Sequence, residues 1–196
     1  MSKLSIEQGQ RAVELARETL EDIFIDVESD DVSKDGFLQE KRGVFTTLKK
    51  EGELQGCIGF PKPVMELGKA IEESTIKAAT DDPRFKSLKE EDVKNTTIEL
   101  SILTEPEEID YEDNKELLEK IEVGKDGLIV SSGFRTGLLL PQVAVDNGWD
   151  VEEFLSQTCR KAGLEEDAWR DRNLTVKKFQ AQIFKEDSPE GEIYEE

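Results

Sequence analysis

The stretch whose reading decides the fold is Glu53-Leu54-Gln55-Gly56-Cys57-Ile58-Gly59-Phe60-Pro61-Lys62-Pro63. It has the length of a strand, and the prolines at its end stop it. Glycine weakens a strand because it packs nothing and loses much chain entropy, so the pair flanking Cys57-Ile58 needs a reason. Alternation along a strand puts Gln55, Cys57 and Gly59 on one face and Gly56, Ile58 and Phe60 on the other. The cysteine's face therefore carries an amide, a sulfur and a bare backbone. Two readings stay open: a surface that a ligand or a second part of the chain approaches closely, or a cramped core strand holding a buried thiol.

Working outward, Gly43–Leu48 reads as a partner strand, joined through Lys50-Glu51-Gly52-Glu53 into an antiparallel hairpin. Upstream, Ser5 with Gln8 three residues on forms a capping box for a helix whose stripe is Ile6, Val13, Ala16, Leu20 and Phe24. An acidic, turn-rich passage spans Glu28–Gly36. Downstream, Val64–Thr80 reads as a helix stopped by Asp82-Pro83. Thr97–Leu103 alternates as a half-buried strand. After Glu105 come a short helix near Asn114–Lys120, a second hairpin of Gly127–Val130 and Gly137–Leu140, and a helix opened by Pro141. Asp150 with Glu153 caps another helix, closed by Gly163, that carries Cys159 on its apolar stripe. A last strand, Leu174–Phe184, shifts its alternation at Lys177-Lys178 as a bulge would, and Glu186–Glu196 reads as a frayed acidic tail. Hairpins followed by helices without a βαβ rhythm make this an α+β chain with antiparallel sheets.

Composition removes several chemistries. The 196 residues hold no histidine, which excludes Ser-His-Asp and Cys-His catalysis and histidine-ligated metal. Two cysteines without a C-x-x-C spacing build neither a zinc site nor a redox motif. There is no EF-hand loop, P-loop or G-x-G-x-x-G, so no cofactor is expected. The net charge of −20 repels phosphate backbones, and the basic pairs Lys49-Lys50, Arg160-Lys161 and Lys177-Lys178 are too sparse to offset it, so no nucleic-acid partner is expected. Neither an apolar leader nor a membrane-length apolar run is present, and the expectation is a reduced, cytoplasmic chain without a membrane segment.

Besides Cys57, two polar positions draw notice. In Thr80-Asp81-Asp82-Pro83-Arg84-Phe85, Arg84 either clamps an aspartate or forks onto an anion. Gln142 stands just inside the helix that Pro141 opens, where it either faces solvent or joins the outward-pointing N–H groups of the first turn.

Leu54-Gln55-Gly56-Cys57-Ile58-Gly59 resembles the L-R-G-C-I-G signature of the AMMECR family, archaeal branch. Further stretches agree in order: Gly43–Leu48, Asp82–Phe85, Gly127–Val130, Leu138–Ala144 and Phe154–Leu164. The resemblance implies two lobes, each with an antiparallel sheet and packed helices. The larger would comprise 1–105 and 173–185, an inserted smaller one 106–172, and a flexible tail 186–196. It also implies that the signature strand lines an inter-lobe cleft, with Cys57 as candidate nucleophile and Gln55, Gly56, Ile58, Gly59, Arg84 and Gln142 as candidate binding residues. One departure is chemical: the signature arginine is Gln55 here, and an amide neither activates a thiolate nor binds an anion as a guanidinium does. If the family's role needs that charge, either another residue supplies it, with Arg84 as the candidate, or this member works differently. The resemblance names no single reaction. It associates the family with Memo-type and radical-SAM proteins, which leaves an enzyme-like site for a small molecule beside a non-catalytic module that holds a protein partner.

Overall fold

A computed structural model of the chain describes residues 3–24, 35–171 and 174–196. The acidic passage at 28–34 and the expected boundary at 172/173 lie outside the described residues. Six α-helices and eight strands are present among the described residues, and the strand pairings are antiparallel, an α+β fold. The chain divides into two compact units, Met1–Glu105 with Gln182–Glu196, and Pro106–Ala181.

In the first unit, helix α1 (Ile6–Asp22) starts as the capping box requires. The Ser5 hydroxyl accepts from the Gln8 N–H and the Gln8 side chain accepts from the Ser5 N–H. Strands β1 (Gly43–Lys50) and β2 (Glu53–Phe60) form the hairpin. Its two-residue turn, Glu51-Gly52, has φ of 51° and 85°, the left-handed pair that matches strand twist. Helix α2 (Leu67–Thr80), the short helix α3 (Glu90–Val93) and strand β3 (Thr96–Leu103) follow. The expected start of α2 at Val64 moves to Leu67, because the Pro61–Met65 passage first brings Lys41 and Glu66 together as an isolated bridge.

The sheet runs β2-β1-β3-β7, where β7 (Thr175–Glu186) enters this unit at Gln182, and β8 (Ile193–Glu195) closes it. A frayed tail was the expectation for these last residues. Instead Ile193–Glu195 pair with Phe184–Glu186, and the Gln10 amide donates to the Ile193 carbonyl at 3.2 Å. One sheet face is sealed by α1 and α2: Val44, Leu48, Ile98, Leu100, Ile102 and Phe184 pack against Ala12, Val13, Leu20, Leu67, Ile71 and Ala78. Arg17 and Glu186, both buried, form a two-bond ion pair (3.0 and 2.5 Å), and Glu186 also accepts the Ile98 N–H at 2.9 Å. Removing either partner would leave a buried charge, so this pair holds α1, β3 and β7 in one arrangement.

In the second unit, β5 (Asp126–Ser132) pairs with β6 (Arg135–Leu139) and with β7, and β4 (Glu107–Glu108) pairs with β7 on its other edge. Helices α4 (Asn114–Glu119), α5 (Pro141–Asp146) and α6 (Val151–Lys161) cover a core of Leu117, Leu128, Val130, Leu139, Phe154, Leu155, Cys159, Trp169 and Val176. The bulge expected at Lys177-Lys178 is absent, since the register with β5 is continuous from Thr175 to Gln180. The alternation shifts because β7 is apolar on both faces in turn. Val176 enters the core, whereas Phe179 fills the space over Gly127, where a Cβ would stand 2.4 Å from its ring.

The bulge lies elsewhere. Pairing slips between Leu48 and Lys49, whose partners are Gly56 and Leu54, so Gln55 is the extra residue. Beside it, a Cβ on Gly56 would stand 2.0 Å from the Ala78 carbonyl oxygen of α2. Gly56→Ala is therefore expected to cost on the order of 1–3 kcal/mol. Gly36→Ala, at a site with nothing within 4 Å, should leave the denaturant midpoint nearly unchanged.

Candidate functional site

The β1–β2 register explains the two signature glycines. Gly56 admits the backbone of α2, and a Cβ on Gly59 would stand 2.3 Å from the Val44 carbonyl oxygen and 2.4 Å from the Phe45 ring. The close approaches at both glycines are thus made by the protein itself. Ile58 packs on the helix-covered core with Phe60, so Gly56 and Ile58 turn away from the cysteine's face. Cys57 is half-buried and belongs to neither core cluster. Its cross-strand partner is Thr47, whose hydroxyl donates to Sγ at 3.3 Å. Thr47 is paired on its other side with Glu99 of β3.

Beyond α2, the turn after Thr80 reaches back to β2. The Asp82 carboxylate accepts the Cys57 N–H at 2.9 Å, the Arg84 N–H at 3.1 Å, and the Arg84 guanidinium at 2.9 Å (Nε) and 2.6 Å (Nη2). Arg84 Nη2 also donates to the Cys57 carbonyl at 3.1 Å. Side chains thus satisfy both backbone groups of Cys57 on the outer edge of β2, where a further strand would otherwise add. The Asp82 side chain is 2% exposed and that of Arg84 is 55% exposed. Bonding from Arg84, helped by the Cys57 and Arg84 N–H groups and opposed by burial, holds the Asp82 carboxyl down at about 2. In return Asp82 raises the Arg84 guanidinium, and the Cys57 side chain adds to that rise. Arg84 lies over the Phe85 ring at 5.2 Å, and its Nη1 takes no oxygen among the described residues.

Of the sequence-predicted residues, Gln55, Cys57, Gly59 and Arg84 meet at this strand. The bulge places the Gln55 amide at the edge, where it donates to the Lys86 carbonyl at 2.6 Å and so anchors the turn that carries Arg84. Gln142 is half-buried on α5 of the second unit. A concavity of about 400 Å³ in that unit, lined by Glu108–Tyr111 and Leu174–Val176, includes none of the predicted residues. Cys159 is fully buried beside Leu155, and burial pushes its thiol up. Thr47 and Glu99 escaped the sequence reading. Their only signal was strand register, which a single chain does not reveal. Among the described residues no group of acidic and cysteine side chains could hold a metal ion, and no helix is long and apolar enough to cross a membrane.

The AMMECR1 family model matches residues 13–184. The chain belongs to the AMMECR1 family. Similar proteins span its whole length. One from Thermofilum pendens is 47% identical, aligned over 100% of this chain and 97% of its own. Protein MJ0810 of Methanocaldococcus jannaschii is also 47% identical, over 100% and 98%. The crystal structure of uncharacterized protein PH0010 from Pyrococcus horikoshii superposes with a TM-score of 0.93 at 44% identity, covering 100% of this chain and 99% of that one. In this AMMECR1-family chain, then, the glycine-flanked cysteine is held at its backbone by an Asp82–Arg84 clamp and at its sulfur by Thr47.

The clamp has a measurable pH signature. The Asp82 carboxyl drops from 3.8 to about 2 on folding, so its stabilisation is complete above about pH 5 and is lost as pH falls through the folded value. Comparing urea unfolding of the wild type and Asp82→Asn at pH 7 and pH 2.5 should show a gap of roughly 2 kcal/mol at pH 7 that narrows at pH 2.5.

Proposed function

We propose that the Cys57 face of β2 is the thiol site of an enzyme acting on a small molecule that carries an anionic group beside its reactive carbon. The observation that carries this reading is a half-buried sulfur on a residue whose carbonyl accepts from the Arg84 guanidinium. Sγ is bonded by the Thr47 hydroxyl, and Arg84 Nη2 donates to the carbonyl of the same residue at 3.1 Å. A thiol becomes a nucleophile as its thiolate is favoured, and a neighbouring cation and a hydroxyl donor both do this. The clamp supports the role further. Asp82 fixes the guanidinium by two bonds to its side chain, so little rotamer entropy remains to be lost when an anion binds. With Nη2 and Nε occupied, Nη1 is the group left for a ligand oxygen. Arg84 in this way brings to the strand the charge that Gln55 lacks.

A matched pair of reagents tests the reading. Iodoacetamide and iodoacetate deliver the same carbon to sulfur, one neutral and one anionic. In the folded protein near neutral pH, site-resolved mass spectrometry should find Cys57 alkylated and Cys159 protected. The iodoacetate-to-iodoacetamide rate ratio at Cys57 should exceed that of a free cysteine peptide, and Arg84→Met should lower it about tenfold, the equivalent of one charge-assisted hydrogen bond. Arg84→Lys, which keeps the charge, should fall between. A Cys57 that reacts only after unfolding, or a ratio indifferent to Arg84, overturns the proposal.

A further inference from the structure

Three strands in register set a row of polar side chains across the sheet face turned away from α1 and α2. Thr47 is the common neighbour: it pairs with Cys57 on β2 and with Glu99 on β3. Opposed residues on paired strands hold their Cβ atoms about 5 Å apart, so thiol, hydroxyl and carboxylate stand in line. The opposite face is closed by the core, where Thr46 bonds Ser74 of α2 at 2.7 Å and Leu48 and Ile98 are fully buried. The Glu99 side chain is only 12% exposed. Two ammonium groups face it: Lys49 of β1 at 3.0 Å, and Lys185 of β7, which is also bonded by Glu196 at 2.5 Å and lies over the Tyr194 ring. Thr97 and Ser101 share its own strand and face. A nearly buried carboxylate, ion-paired with Lys49 and set two strands from a thiol, has no packing role that a neutral side chain would not fill better.

We propose that Glu99 is the proton acceptor of the Cys57 site, linked to the sulfur through the Thr47 hydroxyl. This rests on the reading of Cys57 as a nucleophile and adds to it the base that the histidine-free sequence lacked. As sulfur attacks the electrophilic carbon, the S–H bond breaks and its proton goes to Thr47 Oγ1. The hydroxyl releases its own proton towards Glu99, and the sulfur lone pair forms the new bond to carbon. The net change is one proton moved from sulfur to carboxylate. The 3.3 Å Oγ1–Sγ contact serves in either direction, since both hydrogens rotate about single bonds. No direct hydrogen bond joins Thr47 to Glu99, so one water or a substrate hydroxyl completes the path. On return, the same carboxylic acid delivers the proton to a leaving group, which suits acyl transfer from an amide or ester.

The test is the pH profile of Cys57 alkylation by iodoacetamide in the full-length protein, resolved by site, with melting curves to confirm folding. The wild type should react well below the ordinary thiol range. Glu99→Gln, which keeps the shape, should lose that neutral-pH rate by roughly 100-fold, the low end of what a positioned proton acceptor contributes, and recover it only above about pH 8.5. Thr47→Val should behave like Glu99→Gln, whereas Thr47→Ser and Glu99→Asp should retain part of the rate. A Glu99→Gln protein that reacts as fast as wild type, or faster, overturns the role of Glu99 while leaving Cys57 a nucleophile. A wild-type Cys57 inert across the whole range sinks both readings.

Discussion

The depth at which α2 lies on β2 governs everything around the thiol. Only glycine at position 56 lets the Ala78 carbonyl come so close, and that contact fixes where the helix ends two residues later. Asp82 follows the helix end by two residues, close enough to accept the Cys57 N–H. Once the carboxylate is there, Arg84 folds onto it and reaches the Cys57 carbonyl. Helix docking, edge capping and the placement of a cation on the Cys57 carbonyl are consecutive results of one missing methyl group. A larger residue at 56 would lift α2, withdraw Asp82 from the strand and free Arg84 to solvent.

The same chain of contacts solves a problem of the sheet. Strand β2 is the outermost strand of its unit's sheet, and an exposed edge invites another strand to add. Protection by a carboxylate and a guanidinium satisfies the N–H and C=O of Cys57 without covering the sulfur. A paired strand in that place would have satisfied the same backbone groups, but it would have brought side chains against the face where Cys57 lies. The clamp is buried at its acidic end and open at its basic end, 2% against 55%, which leaves a cation presented at the rim.

Much of this fold was legible in the chain because its signals are local. The Ser5–Gln8 box, the hairpin around Glu51-Gly52, the alternation of Thr97–Leu103 and the Asp150 cap each depend on neighbours within a few residues. What failed was what depends on pairing. The shift at Lys177-Lys178 mimicked a bulge because β7 is apolar on opposite faces at Val176 and Phe179, while the real bulge at Gln55 left no mark in the pattern. The tail from Glu186 looked too acidic to order, yet Glu186 is neutralised by Arg17 and Ile193–Glu195 find a strand to pair with. At the site, Cys57 and the Asp82–Arg84 pair were visible as motifs. Thr47 and Glu99 were not, because a threonine and a glutamate on two strands come into line with a thiol only through register.

Charge then restricts what such a site can hold. A chain of net −20 opposes any anion at a distance, but in physiological salt that opposition fades beyond about 8 Å. A polyanion such as nucleic acid must pass many phosphates through the repulsive surface and finds no stripe of cations to release its counterions. On the proposed reading a small anion would cross the same barrier once, against screened charge, and would then meet Arg84 at hydrogen-bonding range, where screening no longer acts. Because Asp82 is already ionised and shares that guanidinium, the attraction offered is that of one unoccupied amino group rather than a full free charge. Under the proposal the arrangement would orient a ligand more than capture one, and orientation is what a strand-borne nucleophile would need from a clamp on its own backbone.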